Sequence, residues 1–345
     1  METVLVLLHN DPDGALPKAA FEAVAAGARI SGELGAGGFT VGLIGRALQP
    51  SLDRLATCGA SKFVAADSPE FGQSRYATDA AAAETVARRV GASVIVAPMT
   101  SRFARALPGV AHRLGGRVDT HVTGFGVTDG ALGATRWFYR QRMEGTLRRT
   151  ERPWMVLIDP GACPAWSGAE GKASADAVAV TCGPSLTRTT VTGIEAPAAE
   201  QQTIRPDADL LFVAGAGWTK KQADGLPHPA EAEVHILDFL KKSRASLGGS
   251  KSLVDLSGEG QPILRFMTHL NQIGQTGATP RHPKGLATCC HGEEPHVVGW
   301  RFITERRAVN LDPNCGWARG KADVLYVADA FAVMKKVNEL LADGQ

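Results

Sequence analysis

Thr3-Val4-Leu5-Val6-Leu7-Leu8-His9 is an almost unbroken apolar run of strand length. An alanine-rich stretch, Leu16–Leu34, follows it, with apolar residues recurring every three or four positions. A short aliphatic run that does not alternate with polar residues suits a strand buried on both faces, and the three-to-four spacing suits an amphipathic helix. The pairing recurs downstream. Phe39–Ile44 and Lys62–Ala65 read as strands, Thr78–Val90 as a helix and Ser93–Pro98 as a further strand. Strands alternating with helices predict a mainly parallel sheet with flanking helices, so the expected fold class is α/β.

The turn after the first strand, Asn10-Asp11-Pro12-Asp13-Gly14, lacks the spaced glycines that bring backbone amides against a pyrophosphate, and its two aspartates would repel one. The first half is therefore expected to be a scaffold or docking domain. A helical pattern over Ser101–Val118 carries Arg102, Arg105, Arg113 and Arg117, which are expected to lie on a solvated face. Tyr139–Arg152 adds Arg140, Arg142, Arg148, Arg149 and Arg152, a set suited to a partner subunit.

At 345 residues the chain is long for one compact domain. The polar, aperiodic stretch Gly193–Gln202 is the best candidate linker, which sets expected domains at 1–200 and 201–345. After it a second α/β pattern begins with a strand at Leu210–Ala214, the turn Gly215-Ala216-Gly217 and a helix over Glu231–Lys242. It closes with a strand at Val324–Val327 and a helix over Asp329–Leu341.

Composition narrows the function classes. The chain is 44% hydrophobic and 21% charged, with 37 basic against 35 acidic residues, so charge gives no reason to expect nucleic acid or an anionic membrane as partner. No stretch approaches the roughly 20 apolar residues of a membrane span. The N-terminal strand lacks the basic region of a signal peptide, so a cytoplasmic location is expected. Cys58, Cys163, Cys182, Cys289, Cys290 and Cys315 show no regular spacing, which suits reduced, packed thiols better than a disulfide framework, an iron–sulfur cluster or a zinc site. No triad, paired-carboxylate or metal signature stands out.

The second half carries the chemistry. Gly215-Ala216-Gly217, Gly248-Gly249-Ser250-Lys251, Gly274-Gln275-Thr276-Gly277 and His291-Gly292 through His296 are four turns at expected strand ends, with Asn310 beyond them. Ligands of open α/β sheets bind where such turns gather, and glycines allow backbone N–H groups to approach a phosphate.

Ile273-Gly274-Gln275-Thr276-Gly277 is similar to the V-G-Q-T-G element of electron transfer flavoprotein alpha subunits. His291-Gly292-Glu293-Glu294-Pro295-His296 resembles that family's S-G-A-x-Q-H turn at the same spacing. Ala308-Val309-Asn310-Leu311-Asp312 resembles its A-I-N-x-D, and Ala322 through Phe331 its A-D-Y-G-x-V-x-D-L-F after one inserted residue. Gly248-Gly249-Ser250-Lys251 with Leu253-Val254-Asp255 looks like its G-A-S-R-A-A-V-D. The likeness is strongest over about residues 205–341.

The resemblance implies a nucleotide-hydrolase-like N-terminal domain used for scaffolding and dimerisation, and a C-terminal domain binding flavin adenine dinucleotide (FAD). Ser250, Gln275, Thr276, Gly292, Asn310 and Asp329 would hold the cofactor, the last two toward the adenosine half. Lys251, Ile273, Gly274, His291, Glu293, Glu294, Pro295 and Ala330 would line it. Thr276 would hydrogen-bond near flavin N5. His296 would face the N1–C2=O edge, where a donor stabilises the negative charge that reduction builds. Three departures mark a divergent member: Lys251 replaces an arginine that stacks and forks, Gly217 replaces another arginine, and Glu293 and Glu294 bring carboxylates to a phosphate-binding turn. Lys220 or Lys221 could supply the cation missing at Gly217.

The implied function is electron transport. FAD would take electrons from a partner dehydrogenase and pass them to a quinone-linked or other acceptor, in a heterodimer with an electron transfer flavoprotein beta subunit. Two further readings stay open: a flavin-poor interaction subunit of a redox complex, and a subunit of a dedicated flavin-dependent or bifurcating oxidoreductase.

Overall fold

The computed structural model describes residues 2–139, 143–193, 204–205, 208–255, 262–274, 278, 280–288, 303–314 and 322–343. The chain divides into two compact units, Met1–Ile194 and Glu195–Gln345. The expected linker lies almost wholly outside the described residues.

In the first unit the described strands are β1 (Val4–His9), β2 (Phe39–Gly45), β3 (Lys62–Asp67), β4 (Val94–Pro98), β5 (Arg117–Thr128), β6 (Ala131–Phe138), β7 (Met143–Leu147), β8 (Trp154–Ile158) and β9 (Asp176–Ala177). They form one sheet in the order β7-β6-β5-β8-β4-β1-β2-β3-β9. All pairings from β5 across to β9 are parallel, and β5-β6-β7 is an antiparallel meander at one edge. Among the described residues four α-helices flank the sheet: α1 (Lys18–Glu33), α2 (Gln49–Leu55), α3 (Tyr76–Val90) and α4 (Ser101–Arg113).

The run that opened the sequence is buried on both faces, as its pattern implies. Val4, Val6 and Leu8 pack with α1, and Leu5 and Leu7 pack with α3 and α4. Each buried aliphatic side chain of this kind contributes roughly 1.5–3 kcal/mol. The alanines of α1 have a packing reason. Ala20, Ala23 and Ala26 are buried, and a Cβ on Gly27 would stand 2.1 Å from Val6 Cγ2, so small residues let the helix lie close on β1.

The structure departs from the sequence reading at the end of α4. The helix stops at Arg113; Gly115 takes φ +69, and a Cβ on Gly116 would meet the Pro153 carbonyl oxygen at 2.0 Å. The chain then enters β5, so Arg117 and Val118 belong to a strand. The meander that follows carries Thr and Gly at many positions, which blurs the strand pattern.

Residues 159–178 form a strap from the end of β8, past α1 and α2, to the far edge of the sheet. Trp166 stacks on Phe21 with centroids 6.4 Å apart, and the Arg54 guanidinium lies 5.0 Å from the Phe21 ring centre and 5.2 Å from that of Trp166. Arg54 also donates to the Gly168 carbonyl, and Lys172 pairs with Asp53 at 2.7 Å. The strap ends as β9, paired with β3 through Val64↔Asp176 and Ala65↔Ala177.

The described strands of the second unit are β10 (Leu210–Ala214), β11 (Ser246–Gly249), β12 (Lys284–Thr288), β13 (Glu305–Asn310) and β14 (Val324–Val327), in the order β11-β10-β12-β13-β14 and all parallel. Within the unit this is the doubly wound order 2-1-3-4-5. Helix α5 (Pro229–Ser243) and helix α7 (Ala330–Asp343) pack together on one face, around Phe212, Ile236, Phe239, Leu247, Val309 and Met334; the short α6 (Lys251–Asp255) follows β11. Leu211, Val213, Ile273, Ala287, Ile303 and Ala308 build the opposite face. Each unit is thus α/β with a mainly parallel sheet and flanking helices.

Candidate functional site at the carboxyl edge of the second sheet

In a 2-1-3-4-5 sheet the strand order reverses between the first and third strands, and the crevice outside their carboxyl ends is the usual ligand position. Here that point lies between β10 and β12. Gly215 N donates to Thr288 O at 2.9 Å across it, and Trp218 Nε1 donates to Thr288 Oγ1 at 2.9 Å. Trp218 is fully buried and packs on Phe331 of α7 with centroids 4.6 Å apart. Gly217 belongs to the tight 3-10 turn Ala216–Thr219, while Lys220 and Lys221 just beyond it are exposed.

Two of the glycine turns come together beside this point. Ser250 closes β11, its amide donating to Ala214 O at 3.0 Å. Its side chain is buried, and its Oγ accepts from Leu253 N at 3.2 Å, which leaves the hydroxyl proton to donate. Ile273 runs alongside, with its amide donating to Gly249 O at 3.1 Å. Gly274 then takes φ +118, which a side chain would oppose, and its amide donates to Ala278 O at 2.8 Å. Glycine at 248 and 249 has a packing role here. A Cβ on Gly248 would sit 2.9 Å from Ile273 Cγ2, and one on Gly249 would sit 2.2 Å from Met267 Cε.

Lys251 Nζ is paired with Asp255 Oδ2, one turn on along α6, and Asp255 Oδ1 also meets His269 Nε2 at 3.1 Å. The hydrogen bonds from Lys251 and His269 hold the Asp255 carboxyl below its ordinary range. The sequence reading places Lys251 at the site and quotes Asp255 only as the end of the same motif. Asp255 stands four residues along the same helix, a spacing that signals an ion pair, whereas His269 comes from a separate turn.

Asn310 ends β13 and is buried at 7% exposure, and its carbonyl accepts from Ala328 N at 3.1 Å. Asp329 is exposed after β14 and caps α7, its Oδ1 accepting from Phe331 N at 3.0 Å. Ala330, the first residue of that helix, is buried. Ser250, Lys251, Asn310, Asp329 and Ala330 therefore all stand at or just past the carboxyl ends of the parallel strands, with Ile273 and Gly274 beside β11. The remaining residues expected at the site, Gln275, Thr276, His291, Gly292, Glu293, Glu294, Pro295 and His296, lie outside the described residues, as do Cys289, Cys290 and Cys315. Among the described residues no cluster of three or more His, Cys, Asp or Glu side chains could hold a metal ion. None of their helices is long and apolar enough to cross a membrane.

The first sheet reverses between β1 and β4, and protein groups fill the corresponding position. Arg102, only 5% exposed, donates to Asn10 O at 3.1 Å, Phe71 O at 2.7 Å and Asp79 Oδ1 at 2.6 Å. His9 Nε2 lies 2.8 Å from Thr100 Oγ1. The expectation that Arg102 lies on a solvated face is corrected here, whereas Arg105, Arg113 and Arg117 are exposed. The signal was present: Arg102 shares the stripe of Phe103, Ala106, Leu107, Val110 and Ala111, all buried. Two arginines of the 139–152 stretch are also committed internally. Arg149 forks onto Asp119 with both bonds at 2.9 Å, and Arg152 Nε donates to Glu2 Oε1 at 2.9 Å.

A search of curated proteins found no match. The family model for the electron transfer flavoprotein domain matches residues 4–184, just over half of the 345-residue chain. That match covers the first unit, the half in which no diagnostic motif stands out by eye, whereas the motif likeness lies in the second. The chain belongs to the electron transfer flavoprotein family.

Proposed function

We propose that this chain is the alpha subunit of an electron transfer flavoprotein, carrying electrons through FAD from a partner dehydrogenase to a quinone-linked or other acceptor, in a heterodimer with a beta subunit. The observation that carries this reading is the convergence of Ser250, Gly274, Asn310 and Asp329 on the carboxyl edge of a 2-1-3-4-5 sheet. The FAD-binding role of the second domain rests on it together with the motif likeness, and the dimerising role of the first on the family match over residues 4–184.

The described residues fit a dinucleotide in their chemistry. Ser250 keeps a hydroxyl proton for an acceptor such as a phosphate oxygen. The exposed Asp329 carboxylate is an acceptor suited to ribose hydroxyls, and the Asn310 amide offers both functions. FAD, when bound, supplies the electron-carrying ring system. The chain's part is to hold it, exclude water and set the charge around it. A carrier needs no nucleophile or general base.

Copurification with a beta subunit and a visible spectrum test the reading. Flavin bands near roughly 375 and 450 nm, with stepwise one-electron reduction on titration, support it. A colourless complex overturns it. One observation favours the flavin-poor interaction subunit as second reading: Lys251, the cation nearest Ser250 in sequence, is already matched by Asp255. The same spectrum separates the two.

A further inference from the structure

We propose that Asp255, which meets both turns expected to hold the cofactor, is a positioning residue that fixes Lys251 and offsets the charge it presents there. This rests on the reading that the carboxyl edge of the second sheet holds FAD.

The two carboxylate oxygens of Asp255 have different partners. Oδ2 takes Lys251, which follows Ser250 at the end of β11. Oδ1 takes His269, which opens the turn leading to Ile273 and Gly274. That turn is internally set, since Thr268 and Asn271 cap each other reciprocally. It is also tied to β11 by Ile273 N–H to Gly249 O at 3.1 Å and by the bridge Gly249↔Gln272. One carboxylate thus spans two described segments that bring expected cofactor residues side by side.

The electrostatic consequence follows from the same geometry. Lysine is a compact point charge on a flexible stem and lacks the planar fork of arginine, so its placement depends on a partner. Asp255 supplies that partner and cancels much of the field Lys251 would exert on a phosphate or on a ring gaining electrons. Reduction adds negative charge to the flavin, so an unopposed Lys251 would favour the reduced form and hold the cofactor more tightly. Asp255 keeps both effects in check.

The test uses the full chain with its partner subunit. For Asp255→Asn, we expect FAD to bind roughly two- to fivefold more tightly, the span of a partly screened surface ion pair, and the midpoint potential to rise. Asp255→Glu should return both toward wild type. In a Lys251→Gln background, Asp255→Asn should leave the potential unmoved. His269 ring resonances of the flavin-free protein should shift in Asp255→Asn, whatever cofactor is loaded. A thermal midpoint lowered with an unmoved potential would mean a merely structural residue and overturn the inference, as would an equal potential shift in the Lys251→Gln background. A wild-type complex without flavin overturns the alpha-subunit reading and this inference with it. A loaded wild type with an inert Asp255→Asn overturns this inference alone.

Discussion

Arg102 Nη2 lies 2.6 Å from Asp79 Oδ1, and the two side chains are 6% and 0% exposed. The pair joins α4 to α3 at the point where the strand order of the first sheet reverses, the position that other α/β sheets reserve for a ligand. The guanidinium also holds the carbonyls of Asn10 and Phe71, so one side chain satisfies three acceptors there. Burial pushes the Asp79 carboxyl up, and Arg102 pulls against that shift.

Removing one partner leaves the other charge buried. Arg102→Met should therefore cost about 3–5 kcal/mol of unfolding free energy, read from the denaturant midpoint at constant slope. The double variant Arg102→Met/Asp79→Leu should recover most of it. A single-variant loss below about 1 kcal/mol would show that the pair behaves as a surface one.

His9 beside this pair makes the first unit sensitive to acid. Burial, reinforced by the nearby Arg102 charge, lowers its pKa from 6.5 to about 4. The unfolded chain therefore binds this proton first. Its contribution is complete above about pH 6.5 and is lost as the pH falls toward 4, about 3 kcal/mol in all. Subtracting the stability profile of His9→Gln from that of the wild type should isolate a slope confined to that window. A flat difference would remove His9 from this role.

At the second sheet, Gly248→Ala separates packing from ligand contact. The added methyl meets Ile273 and Leu211, so stability should fall by about 1–3 kcal/mol. Flavin per folded complex, measured by absorbance after gel filtration, should be unchanged. Loss of flavin without loss of stability would instead place the cofactor against this glycine.

Asp329 has two roles that substitutions can divide. Asp329→Ala removes the cap of α7 and should cost about 1 kcal/mol. Asp329→Asn keeps the cap, so its stability should stay within a few tenths of a kcal/mol, while the charge offered to a ribose is gone. Weaker FAD binding in Asp329→Asn, by isothermal titration, supports the adenosine-side role. Equal binding confines Asp329 to capping.

Much of the fold was legible because buried parallel strands and amphipathic helices leave strong periodic signals. The elements at Val4–His9, Lys18–Glu33, Leu210–Ala214 and Ala330–Asp343 could be read directly. The β5-β6-β7 meander could not, since its Thr- and Gly-rich strands are partly solvated and resemble loop. Arg102 escapes a reading by residue type, because only its position on the apolar stripe of α4 shows that it is buried. At the candidate site, the turns could be located, but not what the glycines do: Gly248 and Gly249 make room for Ile273 and Met267. His269 was out of reach, because a contact between separate turns leaves no local pattern.

The strap that crosses α1 and α2 also sets a schedule. The β3 edge is covered at Val64 and Ala65 only when Asp176 and Ala177 arrive, so roughly 110 residues of chain must be made after the edge itself. At about 5–20 residues per second that is a wait of roughly 5–20 s on the ribosome. Throughout it, a row of unpaired amides and carbonyls stands open to whatever strand arrives first. Slowing synthesis between β3 and β9 should therefore lower the yield of folded chain, and a chaperone that shields that edge should restore it.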